Sequence, residues 1–90
     1  MTSAAAATVV FIAFTAQWCG PCKRLHRDFT GDQITFHDAE AEQELADSYE
    51  VTGYPTIIAL VDGQEVARTV GYNNKQELLG WMDRVRDRNP

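Results

Sequence analysis

Thr15-Ala16-Gln17-Trp18-Cys19-Gly20-Pro21-Cys22-Lys23 is the stretch on which the reading of this chain turns. It holds both cysteines of the 90-residue sequence, separated by two residues. By itself such a pair points to redox or metal chemistry. Ahead of it, Thr8-Val9-Val10-Phe11-Ile12-Ala13-Phe14 is continuously apolar and β-branched, the pattern of a strand buried on both faces. Behind it, Pro21 suits the first turn of a helix, where its missing N–H costs nothing. Cys22, Leu25, His26 and Phe29 fall at helical spacing and define an inward face, opposite Lys23, Arg24, Arg27 and Asp28. Thr30-Gly31-Asp32 then ends the helix.

Working outward, Gln33 to His37 reads as a second strand. Asp38 is placed to cap a helix over Ala39–Tyr49, with Ala41, Leu45 and Tyr49 inward. Thr56 to Val61 is an apolar strand, and Asp62-Gly63 signals a two-residue hairpin. Glu65 to Val70 alternates, as an edge partner should. Asn74 with Glu77 resembles a capping box. Leu78, Trp81, Met82 and Val85 give the core stripe of a last helix, in which Gly80 is expected to permit close packing. The order is β-α-β-α-β-β-α. A right-handed β-α-β unit joined to a hairpin predicts an α/β fold with a four-stranded mixed sheet, order 2-1-3-4, and three helices on its two faces.

Ninety residues predict one domain, residues 1–90, with residues 1–7 as a flexible lead. The net charge is −5, and Asp38, Glu40, Glu42, Glu44, Asp47 and Glu50 form a run without a base. Such a surface does not suit nucleic acid, which needs a basic stripe. Two cysteines are too few for a disulfide-stapled secreted scaffold. No Lys or Arg precedes Lys23, so the apolar run lacks a signal peptide's basic flank, and it is too short to span a bilayer. A monomer in the reducing cytoplasm, off the membrane, is the expectation.

A thiolate attacks disulfides, and a helix N-terminus stabilises it through free amides and the macrodipole. Cys19 is predicted just outside that terminus and exposed, with Cys22 one turn in and shielded. Lowering a thiol pKa from about 8.5 to about 7 raises its thiolate fraction at pH 7 by ~16-fold. A Brønsted slope near 0.45 removes about five-fold in nucleophilicity, leaving a net ~3-fold. Any large rate advantage therefore has to come from docking the substrate, and Tyr54-Pro55-Thr56 is the candidate. There Pro55 opens a strand, where its missing N–H is tolerated.

Trp18-Cys19-Gly20-Pro21-Cys22 resembles the active-site signature of the thioredoxin family. Val51-Thr52-Gly53-Tyr54-Pro55-Thr56 resembles the family's Gly-x-Pro-Thr segment, Asp62-Gly63 its last hairpin, and Val70-Gly71 its Val-Gly step. The resemblance spans roughly residues 8–87 in consistent order. It implies a thiol–disulfide oxidoreductase with Cys19 as nucleophile and Cys22 as resolving thiol, supported by Trp18, Gly20 and Pro21. It also implies a cis Pro55 and a docking rim of Trp18, Gly53, Tyr54, Pro55, Gly71 and Tyr72. The Gly-Pro pair resembles that of the reducing members. No cofactor is bound in this reading: the Cys19–Cys22 disulfide is re-reduced with NADPH through a thioredoxin reductase-like flavoenzyme, or by glutathione, and the substrates are disulfide-containing proteins.

The chain departs from the family in lacking the usual extra N-terminal strand and helix, and in a first helix about two turns shorter. Ala13 stands where the family has a buried acid, and Phe36 or His37 where it has that acid's lysine. The compact outline is similar to glutaredoxin-like redoxins, including ribonucleotide-reductase donors and those of phages and bacteria. His26, four residues after Cys22, is a candidate substitute for the missing acid. Two other readings compete: a non-catalytic thioredoxin-like partner subunit, and a zinc site from Cys19, Cys22, His26 and His37, whose spacing is irregular for zinc. Haem attachment would need His where Lys23 stands.

Overall fold

A computed structural model describes residues 8–90; the expected lead over residues 1–7 lies outside them. The elements are β1 (Val9–Thr15), α1 (Gly20–Asp28), β2 (Thr35–Asp38), α2 (Gln43–Ser48), β3 (Thr56–Val61), β4 (Gln64–Val70) and α3 (Lys75–Arg88). The sheet order is β2-β1-β3-β4. β1 runs parallel to β2 and antiparallel to β3, and β4 pairs antiparallel with β3. Chain order and sheet order together are those expected from the hydrophobic pattern.

Strand alternation sorts the core into two layers. Phe11 and Ala13 of β1 and Ile57 and Ala59 of β3 pack with Leu25 and Phe29 from the α1 side and with Leu78, Met82 and Val85 of α3. Their neighbours Ile12, Phe14 and Ile58 face the other way, onto Ala46, Leu45 and Tyr49 around α2. The two central strands are thus buried on both faces, which is why their sequences read as unbroken apolar runs. β4 has a partner on one side only and is largely exposed. It carries a bulge where the register slips between Ala59 and Leu60.

Caps and turn residues fix several element ends. Asn74 Oδ1 accepts from the Glu77 amide at 2.9 Å, fixing the start of α3. The Glu77 carboxylate accepts from Asn73 Nδ2, in place of the return bond of a full capping box. Asp62 and Gly63 both have positive φ, 52° and 79°, as a two-residue hairpin requires. The second helix differs from expectation. Asp38 Oδ1 accepts from the amides of Glu40 and Ala41, closing a tight turn rather than capping a helix, so α2 starts only at Gln43. Ala41 consequently lies exposed on that turn, and Ala39 and Ala46 take the buried places.

Candidate active site

The carboxyl end of β1 delivers the chain to the N-terminus of α1, and Cys19 is the N-cap of that helix. The Cys22 amide donates to Cys19 Sγ at 3.2 Å, so the sulfur occupies the place a serine or aspartate oxygen usually takes. Cys19 and Cys22 are joined as a disulfide, with their Cα atoms 5.2 Å apart. Pro21 sits in the first turn, where no hydrogen bond is lost. Cys22 is 1% exposed, as predicted. Cys19 is 5% exposed, which corrects the expectation of an open first thiol. In the disulfide form it lies against Ala16, Cys22 and Tyr54.

A second segment faces the sulfurs. The Tyr54–Pro55 peptide bond is cis, and Pro55 is buried at the head of β3. Thr56 Oγ1 donates to the Gly53 carbonyl at 2.6 Å, closing the turn ahead of the proline. The Gly71 amide donates to the Pro55 carbonyl at 2.8 Å; with φ at +94°, position 71 suits a glycine. Trp18 is 69% exposed and meets Tyr54 edge-on, ring centroids 5.7 Å apart.

Two adjustments to the expected rim follow. Tyr72 is buried in the α1/α3 layer, not on the rim, and its hydroxyl donates to Asp28 Oδ2 at 2.6 Å. Burial, and then this bond to a carboxylate, push its phenol up to about 12, while the same bond holds Asp28 below the usual carboxylate range. Val70, which enters the sequence reading only through the Val-Gly step and not as a rim residue, is 60% exposed and stands over Gly53. A Cβ at Gly53 would lie 3.1 Å from Val70 Cγ1, so the glycine keeps that approach open. The available signal is an apolar residue at the end of an alternating edge strand.

Residues 2–84 match the family model described as Thioredoxin. The chain belongs to the thioredoxin family. It is 36% identical over 81 residues to a thioredoxin of Chlamydia trachomatis, covering 82% of this chain and 79% of that protein. A Staphylococcus aureus thioredoxin is likewise 36% identical, over 84 residues, covering 84% of this chain and 81% of its own length. Among solved structures, a mutant thioredoxin from Halobacterium salinarum superposes with a TM-score of 0.74 at 32% identity, covering 84% of this chain and 73% of that one. Family membership and the Cys19–Cys22 disulfide make this protein a thiol–disulfide oxidoreductase of the thioredoxin type.

Against that thioredoxin frame, position 13 stands out. Ala13 is fully buried and pairs with Phe36 across the β1–β2 ladder, so an apolar pair occupies the place expected of an acid and its lysine. Such replacements are often neutral or better for stability. His26 does not point into the core as its spacing implies. It is exposed, with its ring stacked on Phe36 at 4.0 Å between centroids and Nε2 3.5 Å from Thr15 Oγ1. His37 instead stacks on Phe14 and binds Glu42 at 2.9 Å. The four residues weighed for zinc are therefore not gathered, and the described residues contain no cluster of three or more metal-ligating side chains. Among the described residues no helix is long and apolar enough to cross a membrane.

Proposed function

We propose that this protein is a dithiol reductant of protein disulfides, with Cys19 as nucleophile and Cys22 as resolving thiol. The observation that carries this assignment is the position of Cys19 Sγ at the N-cap of α1, accepting the Cys22 amide. An anion there gains from the amide and from the helix dipole, and its neighbour one turn in is shielded. In the reaction, the Cys19 thiolate attacks one sulfur of a substrate disulfide and forms a mixed disulfide. The first substrate thiolate leaves and takes a proton from solvent. The Cys22 thiolate then attacks Cys19 Sγ, releases the second substrate thiolate, and leaves the Cys19–Cys22 disulfide with two electrons transferred.

Docking falls to the surface around Trp18, Gly53, Tyr54, Pro55, Gly71 and Val70. Exposed Trp18 and Val70 supply apolar area on either side of the Gly53–Tyr54 backbone. An extended peptide laid there gains main-chain hydrogen bonds irrespective of its sequence. Reducing equivalents come from NADPH through a flavoenzyme reductase, and the protein works as a monomeric domain in the cytoplasm.

Insulin-disulfide reduction run in parallel with NADPH plus thioredoxin reductase, and with glutathione, tests the reading. Turnover with the flavoenzyme is expected, together with trapping of a mixed disulfide by Cys22→Ser. Turnover with glutathione alone would move the protein to the glutaredoxin-like redoxins. A Cys19→Ser protein that keeps its biological role would instead make it a non-catalytic subunit.

A further inference from the structure

A groove of about 410 Å³ opens beside α1, lined in part by Thr15, Cys22, Lys23, His26, Phe36 and Asp38. It lies on the β2 side of α1, and His26 exposes its mouth to solvent. The space exceeds the roughly 30 Å³ share of a liquid water many times over. Resolution of a mixed disulfide requires the Cys22 thiol to lose its proton, because the thiolate is the nucleophile. On β1, position 13 is alanine, paired with Phe36, and supplies no acceptor.

Three titratable side chains other than Cys22 line the groove: Lys23, His26 and Asp38. An ammonium has no lone pair to receive a proton. The Asp38 carboxylate is already engaged by three donors, the Glu40 and Ala41 amides on Oδ1 and Gln17 Nε2 on Oδ2. His26 is left, held in plane by Phe36 and within 3.5 Å of Thr15 Oγ1. Of the remaining neighbours, His37 faces away onto Phe14 and Glu42, and Arg27 is paired with Asp28.

We propose that His26 accepts the Cys22 proton in the resolving step, through Thr15 Oγ1 and the solvent of this groove. The proposal rests on the assignment of Cys22 as resolving thiol. The Cys22 S–H proton passes to groove water and the Thr15 hydroxyl, whose own proton moves to the neutral imidazole. The thiolate's electron pair forms the new bond to Cys19 Sγ, and the bond to the substrate sulfur breaks with its pair. The imidazolium then returns its proton to solvent at the exposed mouth. When the Cys19–Cys22 disulfide is later reduced, the same route runs backwards and protonates Cys22 as it leaves.

Stopped-flow reduction of a fluorophore-labelled peptide disulfide, from about pH 5 to pH 9 to span histidine titration, separates the two steps. His26→Phe keeps a ring on Phe36 and removes the acceptor; His26→Ala removes both. In both variants the first step should be unchanged, while resolution slows by roughly ten-fold at neutral pH and loses its acid inflection. Thr15→Val should move resolution in the same direction, and added imidazole should restore His26→Ala. Wild-type resolution rates and profile in both His26 variants would overturn the proposal, as would an inflection abolished by Asp38→Asn instead. Cys22→Ser separates the two levels. If it traps the mixed disulfide while the His26 variants resolve normally, only the relay fails; if it turns over like wild type, the dithiol assignment fails.

Discussion

On one face of the sheet, Phe11, Ala13, Ile57 and Ala59 meet large side chains from α1 and α3; on the other, Ile12, Phe14 and Ile58 meet the six-residue α2. The first layer is filled by Leu25, Phe29, Leu78, Met82 and Val85, all at most 5% exposed. In the second, two of the five buried members are alanines, and Leu45, Tyr49 and Tyr54 are only partly covered. Polar contacts to the backbone supplement that thin side: Asp38 holds the turn before α2, and Arg68 Nη2 donates to the Tyr49 carbonyl at 2.8 Å. The difference teaches where rigidity lies relative to the chemistry. The cysteines ride on α1, anchored in the thick layer, while Tyr54 of the substrate-facing segment packs against the thin one. The nucleophile is thus held by area, and the Gly53–Pro55 turn ahead of β3 by a few directed bonds, from Thr56 Oγ1 to the Gly53 carbonyl and from the Gly71 amide to the Pro55 carbonyl.

Paired truncations put that contrast to its hardest test. Phe29 is 2% exposed and meets Tyr72 edge-on, with Lys75 over its ring. Phe29→Ala should cost about 3–5 kcal/mol in urea unfolding, a large share of the stability of so small a domain. Leu45→Ala, in the thin layer, should cost about 1–2 kcal/mol because the side chain is only partly buried. Equal losses from the two would mean that both layers carry the fold alike.

The thick layer is the easier half to read from sequence, for a physical reason. Its helices present regular apolar stripes, Cys22-Leu25-Phe29 and Leu78-Met82-Val85, and burial follows the period. Strand order is legible too, because unbroken apolar runs mark β1 and β3 and alternation marks the β4 edge. The thin side is less so. An aspartate before Ala39-Glu40-Ala41 fits a helix cap and an Asx-type turn equally well, and only the tertiary setting selects the turn. Tyr72 escapes a local reading because its partner, Asp28, lies 44 residues away, a pairing no local pattern encodes. His26 carries the helical spacing of a core residue, yet its stacking on Phe36 depends on how β2 lies beside α1. Cys19, Cys22 and Pro55 are legible because chemistry, rather than packing, dictates residue type at those positions.

The Tyr72–Asp28 bond ties the start of α3 to the end of α1 and gives the thick layer a polar clamp of its own. Its pH dependence has two limbs of defined sign. Asp28 is held below its ordinary range by the bond, so this contribution is present above the unfolded carboxylate pKa and lost as pH falls through the folded one. Tyr72 is raised from 10.0 to about 12, so the contribution is complete below pH 10 and lost as pH rises between those values. Tyr72→Phe should therefore lower stability across the neutral range, with the difference shrinking as pH falls through the folded Asp28 range and as it rises from 10 towards about 12. A difference that stays constant from acid to alkali would show that the hydroxyl acts through packing and not through Asp28.

The smallest expected effect has the opposite sign. Gly80 lies inside α3, where glycine fits a helix poorly, and close packing is the justification its sequence position suggests. A Cβ built there meets only Arg84 Nη1, the far end of a flexible side chain, at 3.4 Å. No backbone crowds the position, so the glycine brings α3 the entropic penalty without a packing return. Gly80→Ala should raise stability by about 0.5–1 kcal/mol, read as an upward shift of the urea midpoint with unchanged slope. Because α3 belongs to the thick layer, away from Cys19 and Tyr54, disulfide reduction should proceed at the wild-type rate. A stabilised variant that reduces more slowly would show that flexibility in α3 reaches the site, and that the thick layer is not the passive anchor its packing describes.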